Sequence, residues 1–311
     1  MTQMPDEQAN RAGNRLSDRF SELASTTRYH YLTLANSLQQ KISGRDRPLL
    51  LGVSGAQGTG KTTLCAFLSQ HLENRFALRS VVLSLDDFYL TKSERQQLAQ
   101  RIHPLLATRR VPGTHDLKLL NDVLHRLLFC SAEERVVVPA FDKLADDRLP
   151  EAEWRNCCGK PDLVILEGWC VGAESESRTD LLQPVNSLEM EKDPDGSWRQ
   201  WVNQQLEGGY QTLFQRLDGL VFLQVPGLMQ ADKRLPNMEQ IVQWRLEQEE
   251  QLIKTARQPG MPLSAIRRFV MYYERITRTM QQRLPGSADV VLTLNRRHEV
   301  IAIHGSVWFN A

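Results

Sequence analysis

The sequence predicts an α/β fold, a mostly parallel sheet with helices on both faces. Three observations lead there. The apolar run Leu49-Leu50-Leu51-Gly52-Val53-Ser54 passes into the glycine-rich stretch Gly55-Ala56-Gln57-Gly58-Thr59-Gly60-Lys61-Thr62, and then into residues 63–72, with apolar side chains at helical spacing. Residues 162–169 and 219–225 are further apolar runs of the kind buried on both faces of a sheet. Strand-like and helix-like segments alternate along the rest of the chain.

Taken in order, residues 15–42 carry Leu16, Phe20, Leu23, Tyr31, Leu34, Leu38 and Ile42, which predicts one or two amphipathic helices; the first dozen residues read as disordered. A break at Gly44-Arg45-Asp46-Arg47-Pro48 makes residues 1–47 a helical extension of a domain over 48–311. Val81-Val82-Leu83-Ser84-Leu85 reads as a strand ending at Asp86-Asp87. Thr91, with Glu94 three residues on, marks a capped helix start. A polar loop follows, then a helix over 117–128. Val136-Val137-Val138-Pro139 is expected at a sheet edge because proline cannot donate to a ladder. Residues 174–209 read as a long polar loop, functional or disordered. Helices are predicted over 237–257 and 264–280, and strands over 288–294 and 300–303. Insertions over about 109–148 and 174–257 are expected to supply a helical lid and an acceptor side.

The chain of 311 residues has 38 Lys+Arg against 37 Asp+Glu, a net charge of +1, so no global field draws nucleic acid or an anionic membrane. No run approaches the ~20 apolar residues of a membrane span, and the polar start lacks the apolar core of a signal peptide, so a soluble cytoplasmic protein is expected. Five cysteines without metal spacing read as reduced thiols.

The glycine-rich stretch is a P-loop: glycines let backbone N–H groups close on phosphates, Lys61 adds a point charge, and Thr62 offers a hydroxyl to Mg2+. The nucleotide cradle is assigned to Gly55, Ala56, Gln57, Gly58, Thr59, Gly60, Lys61, Thr62 and Thr63. Phosphoryl transfer is mainly positioning and charge stabilisation, so carboxylates and mobile cations must join the cradle. In an open α/β sheet they are sought beyond the strand ends, where Asp86, Asp87 and Glu167 fall. Asp86 is the candidate general base, on a strand expected to neighbour that of the P-loop; Thr62, Asp86 and Glu167 are candidate metal ligands, and Asp87 either supports the metal through water or caps a turn. Lys143 and Arg148 could hold an anionic acceptor, and Arg234 and Arg245 could be lid cations. Trp169, Trp198, Trp201 and Trp244 read as packing residues.

Beyond the P-loop, the motifs Ser84-Leu85-Asp86-Asp87-Phe88-Tyr89, Gly113-Thr114-His115-Asp116, Phe141-Asp142-Lys143 and Leu166-Glu167-Gly168-Trp169 resemble the plant and fungal D-glycerate 3-kinase family. That family lies in the group of P-loop kinases with phosphoribulokinase, uridine kinase and pantothenate kinase. The likeness continues through Pro184-Val185-Asn186-Ser187-Leu188-Glu189, Asp195-Gly196-Ser197-Trp198-Arg199, Trp201-Val202-Asn203, Trp244-Arg245-Leu246-Glu247-Gln248-Glu249 and Pro259-Gly260-Met261, roughly residues 49 to 295. The resemblance implies the three-layer P-loop NTPase fold and ATP- and Mg2+-dependent transfer to a hydroxyl of a small acid such as D-glycerate, with Lys61, Asp86 and Glu167 catalytic. It also implies a substrate side at His115 and Asp116, to which Asp87, Tyr89, Lys143, Arg148 and Arg245 are added as candidates. Other acceptors in the group are a nucleoside, pantothenate or a sugar phosphate. A nucleotide-dependent switch is the alternative of another class, and the lack of an Asn-Lys-x-Asp signature argues against a GTPase.

Overall fold

The computed structural model describes residues 20–230, 233–256 and 260–305. The expectations for the first dozen residues and for Leu16 lie outside them. Along the chain the strands are β1 (Leu49–Gly55), β2 (Ser80–Ser84), β3 (Arg135–Val138), β4 (Phe141–Asp142), β5 (Asp147–Arg148), β6 (Arg155–Cys158), β7 (Leu163–Gly168), β8 (Gly219–Gln224), β9 (Gly227–Gln230), β10 (Lys233–Pro236), β11 (Val290–Leu294) and β12 (Val300–His304). The main sheet runs β12-β11-β8-β1-β7-β2. All its pairings are parallel except β11 with β12. Central position explains composition: every residue of β1 and β7 is buried, which only apolar or small residues tolerate.

Alternation along β1 splits the core into two layers. Leu49, Leu51 and Val53 face the helices Ser25–Ile42 and Lys61–Phe76, through Leu34, Leu38, Leu64 and Leu68. Leu50 faces the opposite layer, with Leu124 of helix Leu117–Phe129 and Tyr273 of helix Leu263–Ser287. The N-terminal helix buries Tyr31, Leu34, Ala35, Leu38 and Ile42, a stripe at helical spacing, and Thr27 Oγ1 accepts from Val300 N on β12 at 2.9 Å. Thr91 caps the helix Lys92–Arg101 in a reciprocal box with Glu94, as its sequence indicates.

Several expectations are corrected. The strand beside β1 is β7, and β2, which leads to Asp86, is the sheet edge. The segment around Pro139 leaves the main sheet: β3 pairs with β6, and β4 with β5, in small antiparallel ladders. Residues 174–209 are not a loop but contain the helices Ser187–Lys192 and Ser197–Gln205. Their polarity points inward: Glu189 receives Arg275 at 2.7 Å, and Asp193 receives Arg199 at 2.9 Å, all four side chains buried. The last long helix continues through Pro285 to Ser287. Arg234 lies in the hairpin strand β10 rather than at the start of helix Met238–Ala256.

Candidate active site

Strand register sets the site. Val53 pairs with Glu167, and Glu167 with Ser84, so this carboxylate stands between the ends of β1 and β2. After Ser84 the chain enters the 3-10 turn Leu85–Phe88, which carries Asp86 and Asp87. After β1 the chain turns at Gly58 and Gly60, with φ of 81° and 86°, left-handed values that favour glycine. Gly60 caps the helix Lys61–Phe76 without a side-chain bond, leaving first-turn N–H groups for an anion.

A cleft of about 890 Å³ opens there, lined by Gln57, Gly58, Lys61, Thr62, Asp86, Tyr89, Lys143, Glu167 and Arg245. The Lys61 ammonium donates to Gly55 O at 2.8 Å and Ala56 O at 3.1 Å. Burial lowers its pKa against the opposing pull of Glu167 and Asp86. The Thr62 hydroxyl donates to Glu167 Oε1 at 3.4 Å. Asp86 accepts from Lys143 Nζ at 3.1 Å. Burial pushes this carboxyl upward, but the ammonium of Lys143, aided by Lys61, outweighs it and holds it below the ordinary value.

The hairpin of β4 and β5 presents Lys143, and it is pinned from beneath: the fully buried Arg95 donates to Asp146 at 2.7 Å, and Arg109 pairs with the same carboxylate. Asp142 Oδ1 accepts from Leu144 N and Ala145 N and closes the hairpin tip. Arg245, on helix Met238–Ala256, pairs with Glu249 and lies 5.2 Å from the Phe269 ring centre.

Other residues expected at the substrate do not line the cleft. Asp116 caps helix Leu117–Phe129 by accepting from Leu119 N at 2.9 Å, and its second oxygen takes Arg148 at 3.2 Å. These two satisfy each other. Burial raises the Asp87 carboxyl to about 6, the Phe141 N–H opposing this and Asp86 adding to it. His115 is buried and stacks on Tyr89, ring centres 4.3 Å apart. Burial lowers its pKa to about 4, so the ring is neutral at physiological pH.

The Tyr210 hydroxyl accepts from Gly113 N at 2.9 Å and lies 2.6 Å from His115 Nδ1. The other ring nitrogen, Nε2, is a buried atom without a protein partner among the described residues. Tyr210 reaches this point from a single π-helical turn, Leu206–Tyr210.

Sequence reasoning passed over Arg109, Gln248, Phe269 and Tyr273, which also line the cleft. The available signals were the place of Arg109 four residues ahead of Gly113-Thr114-His115-Asp116 and the four-residue spacing of Phe269 and Tyr273 on one helix face. Trp169 packs edge-on against Tyr273, 4.8 Å between ring centres, and lines the cleft as well. Trp198 and Trp244 are buried, as read from the sequence. The side chain of Arg234 lies outside the described residues.

Among the described residues no cluster of three or more His, Cys, Asp or Glu side chains could hold a metal ion, and no helix is long and apolar enough to cross a membrane. No protein-family model matches the chain. It is 36% identical over 244 residues to the uncharacterized kinase mug58 of Schizosaccharomyces pombe, covering 76% of this chain and 82% of that one. It is 29% identical over 234 residues to the chloroplastic D-glycerate 3-kinase of Arabidopsis thaliana, covering 73% of this chain and 46% of the plant protein. Among solved structures, D-glycerate 3-kinase from Cryptococcus neoformans var. grubii superposes with a TM-score of 0.70 at 26% identity, over 90% of this chain and 99% of that one. With a P-loop, two strand-end carboxylates and a cationic hairpin facing one cleft, the chain belongs to the D-glycerate 3-kinase family of P-loop kinases and is an ATP-using phosphotransferase acting on a hydroxyl of a small molecule.

Proposed function

We propose that this kinase transfers the γ-phosphate of ATP, with Mg2+, to a hydroxyl of a small hydroxy acid, D-glycerate before others. The observation that carries this reading is the Lys143 ammonium 3.1 Å from Asp86, in a cleft that also holds Arg109 and Arg245. A carboxylate base beside several cations suits an acceptor that carries both a hydroxyl and an anionic group. The D-glycerate 3-kinases among its relatives support the same choice.

The residues present fit the cofactors. The glycine backbone and the uncapped helix N-terminus suit a triphosphate. The Thr62 hydroxyl and Glu167 carboxylate, side by side, are hard oxygen donors of the kind Mg2+ takes in company with phosphate oxygens and water; Asp86 is the further candidate. Mg2+, when bound, neutralises charge on the phosphates. Lys61 turns its ammonium from the loop carbonyls to the phosphate oxygens. Asp86, ionised by its cationic neighbours, accepts the proton of the attacking hydroxyl. A weak base suffices because the transition state is loose and the proton leaves late. Lys143 and Arg109 orient the acceptor's anionic group, and Arg245 lies where it can meet charge on the transferring phosphate. Residues 109–148 thus form the acceptor side, with Asp87, His115, Asp116 and Arg148 holding that wall from behind.

An ADP-release assay of the purified protein with D-glycerate, other hydroxy acids, nucleosides and pantothenate tests this. The expected result is release that depends on D-glycerate. Faster turnover with a nucleoside or pantothenate would reassign the acceptor, and release indifferent to every acceptor would favour a switch.

A further inference from the structure

His298 stands in the turn between β11 and β12, held there although its φ of 62° is left-handed and it is not a glycine. Asn295 fixes that turn by accepting from Arg297 N at 2.9 Å and Glu299 N at 3.0 Å. The imidazole stacks on Trp244, ring centres 4.5 Å apart. Trp244 is fully buried and lies so close over the P-loop that a Cβ added at Gly58 would come within 2.6 Å of it. From this position His298 Nδ1 lies 2.8 Å from Gly58 O and Nε2 lies 3.0 Å from Glu247 Oε2.

A carbonyl and a carboxylate can only accept. A neutral imidazole carries one N–H and would leave one of these contacts as lone pair against lone pair; only the imidazolium donates to both. In a planar trans peptide a carbonyl and the following N–H point opposite ways, so anchoring Gly58 O also sets the direction of Thr59 N–H. That N–H has only a long contact of 3.4 Å to Ala56 O. The helix tied through Glu247 is the one that brings Arg245 and Gln248 into the cleft.

We propose that His298 is a positioning residue for nucleotide binding: in its protonated form it bridges the P-loop to helix Met238–Ala256 and holds the phosphate cradle and Arg245 in register. Among the described residues the charged group paired with it is Glu247, from the helix, and its own turn adds Arg296, Arg297 and Glu299. The P-loop contributes Lys61, whose ammonium is engaged with Gly55 O and Ala56 O. The proposal rests on the P-loop being the ATP site and is independent of which acceptor is used.

Glutamine at position 247 gives the decisive test. Its amide N–H can donate to the Nε2 lone pair of a neutral ring whose Nδ1–H serves Gly58, so Glu247→Gln completes the bridge without the proton. Equilibrium titration with ATP and Mg2+ between about pH 6 and pH 8.5, the window in which histidine changes charge, is run on wild type, Glu247→Gln and His298→Ala, with melting temperatures recorded for each. Wild type is expected to lose about tenfold in affinity across that range beyond the loss shown by Glu247→Gln, the scale of one hydrogen bond to a charged group. His298→Ala is expected to bind weakly at both ends. Identical pH profiles in wild type and Glu247→Gln, or unimpaired binding by folded His298→Ala at low pH, would overturn the bridge. A wild type that binds no ATP at any pH would instead overturn the nucleotide site on which it rests.

Discussion

The two halves of the cleft are built in different ways. The nucleotide half comes from one continuous stretch, β1 through the start of helix Lys61–Phe76, with Glu167 from the adjoining strand β7. The half proposed to hold the acceptor takes Asp86 from a 3-10 turn, Arg109 from a loop, Lys143 from a hairpin tip, Arg245 from one helix and Tyr273 from another. A backbone-defined phosphate cradle needs its glycines at fixed spacing, whereas an acceptor pocket needs only a few side chains in one place. The first half is therefore constrained as a string, and the second as a shape.

The largest effects should separate the halves most cleanly. Lys61→Ala and Asp86→Asn are each expected to lower phosphoryl transfer by about two to three orders of magnitude, the scale of one preorganised catalytic group. Asp86→Asn should leave ATP affinity intact in a binding titration; full transfer by that variant would remove Asp86 from the role of base. Tyr210→Phe deletes the acceptor of Gly113 N and the hydrogen-bond partner of His115 Nδ1, and is expected to destabilise the fold by about 1–3 kcal/mol in urea unfolding. An unchanged midpoint would detach Tyr210 from the acceptor wall.

Lys143→Ala should raise the acceptor KM about tenfold, as for one exposed charge-assisted contact, while the KM for ATP stays put. Because Lys143 is the chief cation holding Asp86 below its ordinary value, the acid limb of the rate profile should also move to higher pH. A shift in the ATP KM instead would erase the division between the halves. The smallest effect is expected at Asp87. Its carboxyl, raised from 3.8 to about 6, gives stability that is present below about pH 4 and lost as pH rises through 6. Asp87→Asn should therefore melt higher than wild type at pH 8, by on the order of 1 kcal/mol after solvent screening, and equal it near pH 4. A lower melting point at pH 8 would mean that the charge is used by the site.

Legibility in the sequence followed the same division. The buried runs of β1, β7 and β8 and the glycine spacing identify the sheet and the cradle because burial on both faces and tight turns restrict residue type directly. The place of Asp86 and Glu167 at the cleft was legible because each follows an apolar run at the end where ligands gather. Asp116 and Arg148, expected on the substrate side, are engaged with each other and with a helix end, and a cap and its ion-pair partner look in sequence like a carboxylate and a cation waiting for a substrate. Residues 174–209 misled in the opposite sense: Glu189, Asp193 and Arg199 are charged yet buried, paired across elements or within their own turn, and sequence polarity alone cannot say that a charge faces inward. Arg109 and Tyr273 carry only weak local signals, because what brings them to the cleft is packing against segments distant in the chain: Arg109 against Asp146, and Tyr273 against Trp169.

The resting position of Lys61 has a thermodynamic consequence. Its ammonium is bound to two carbonyls of its own loop, so part of the water it would carry on an exposed surface was given up when the chain folded. Triphosphate binding then exchanges one set of oxygen partners for another, with little dehydration of this cation left to oppose it. A share of the free energy for gripping phosphate is thus supplied in advance by the hydrophobic strands that fold the loop, and it lowers the reserve of stability in the nucleotide-free protein.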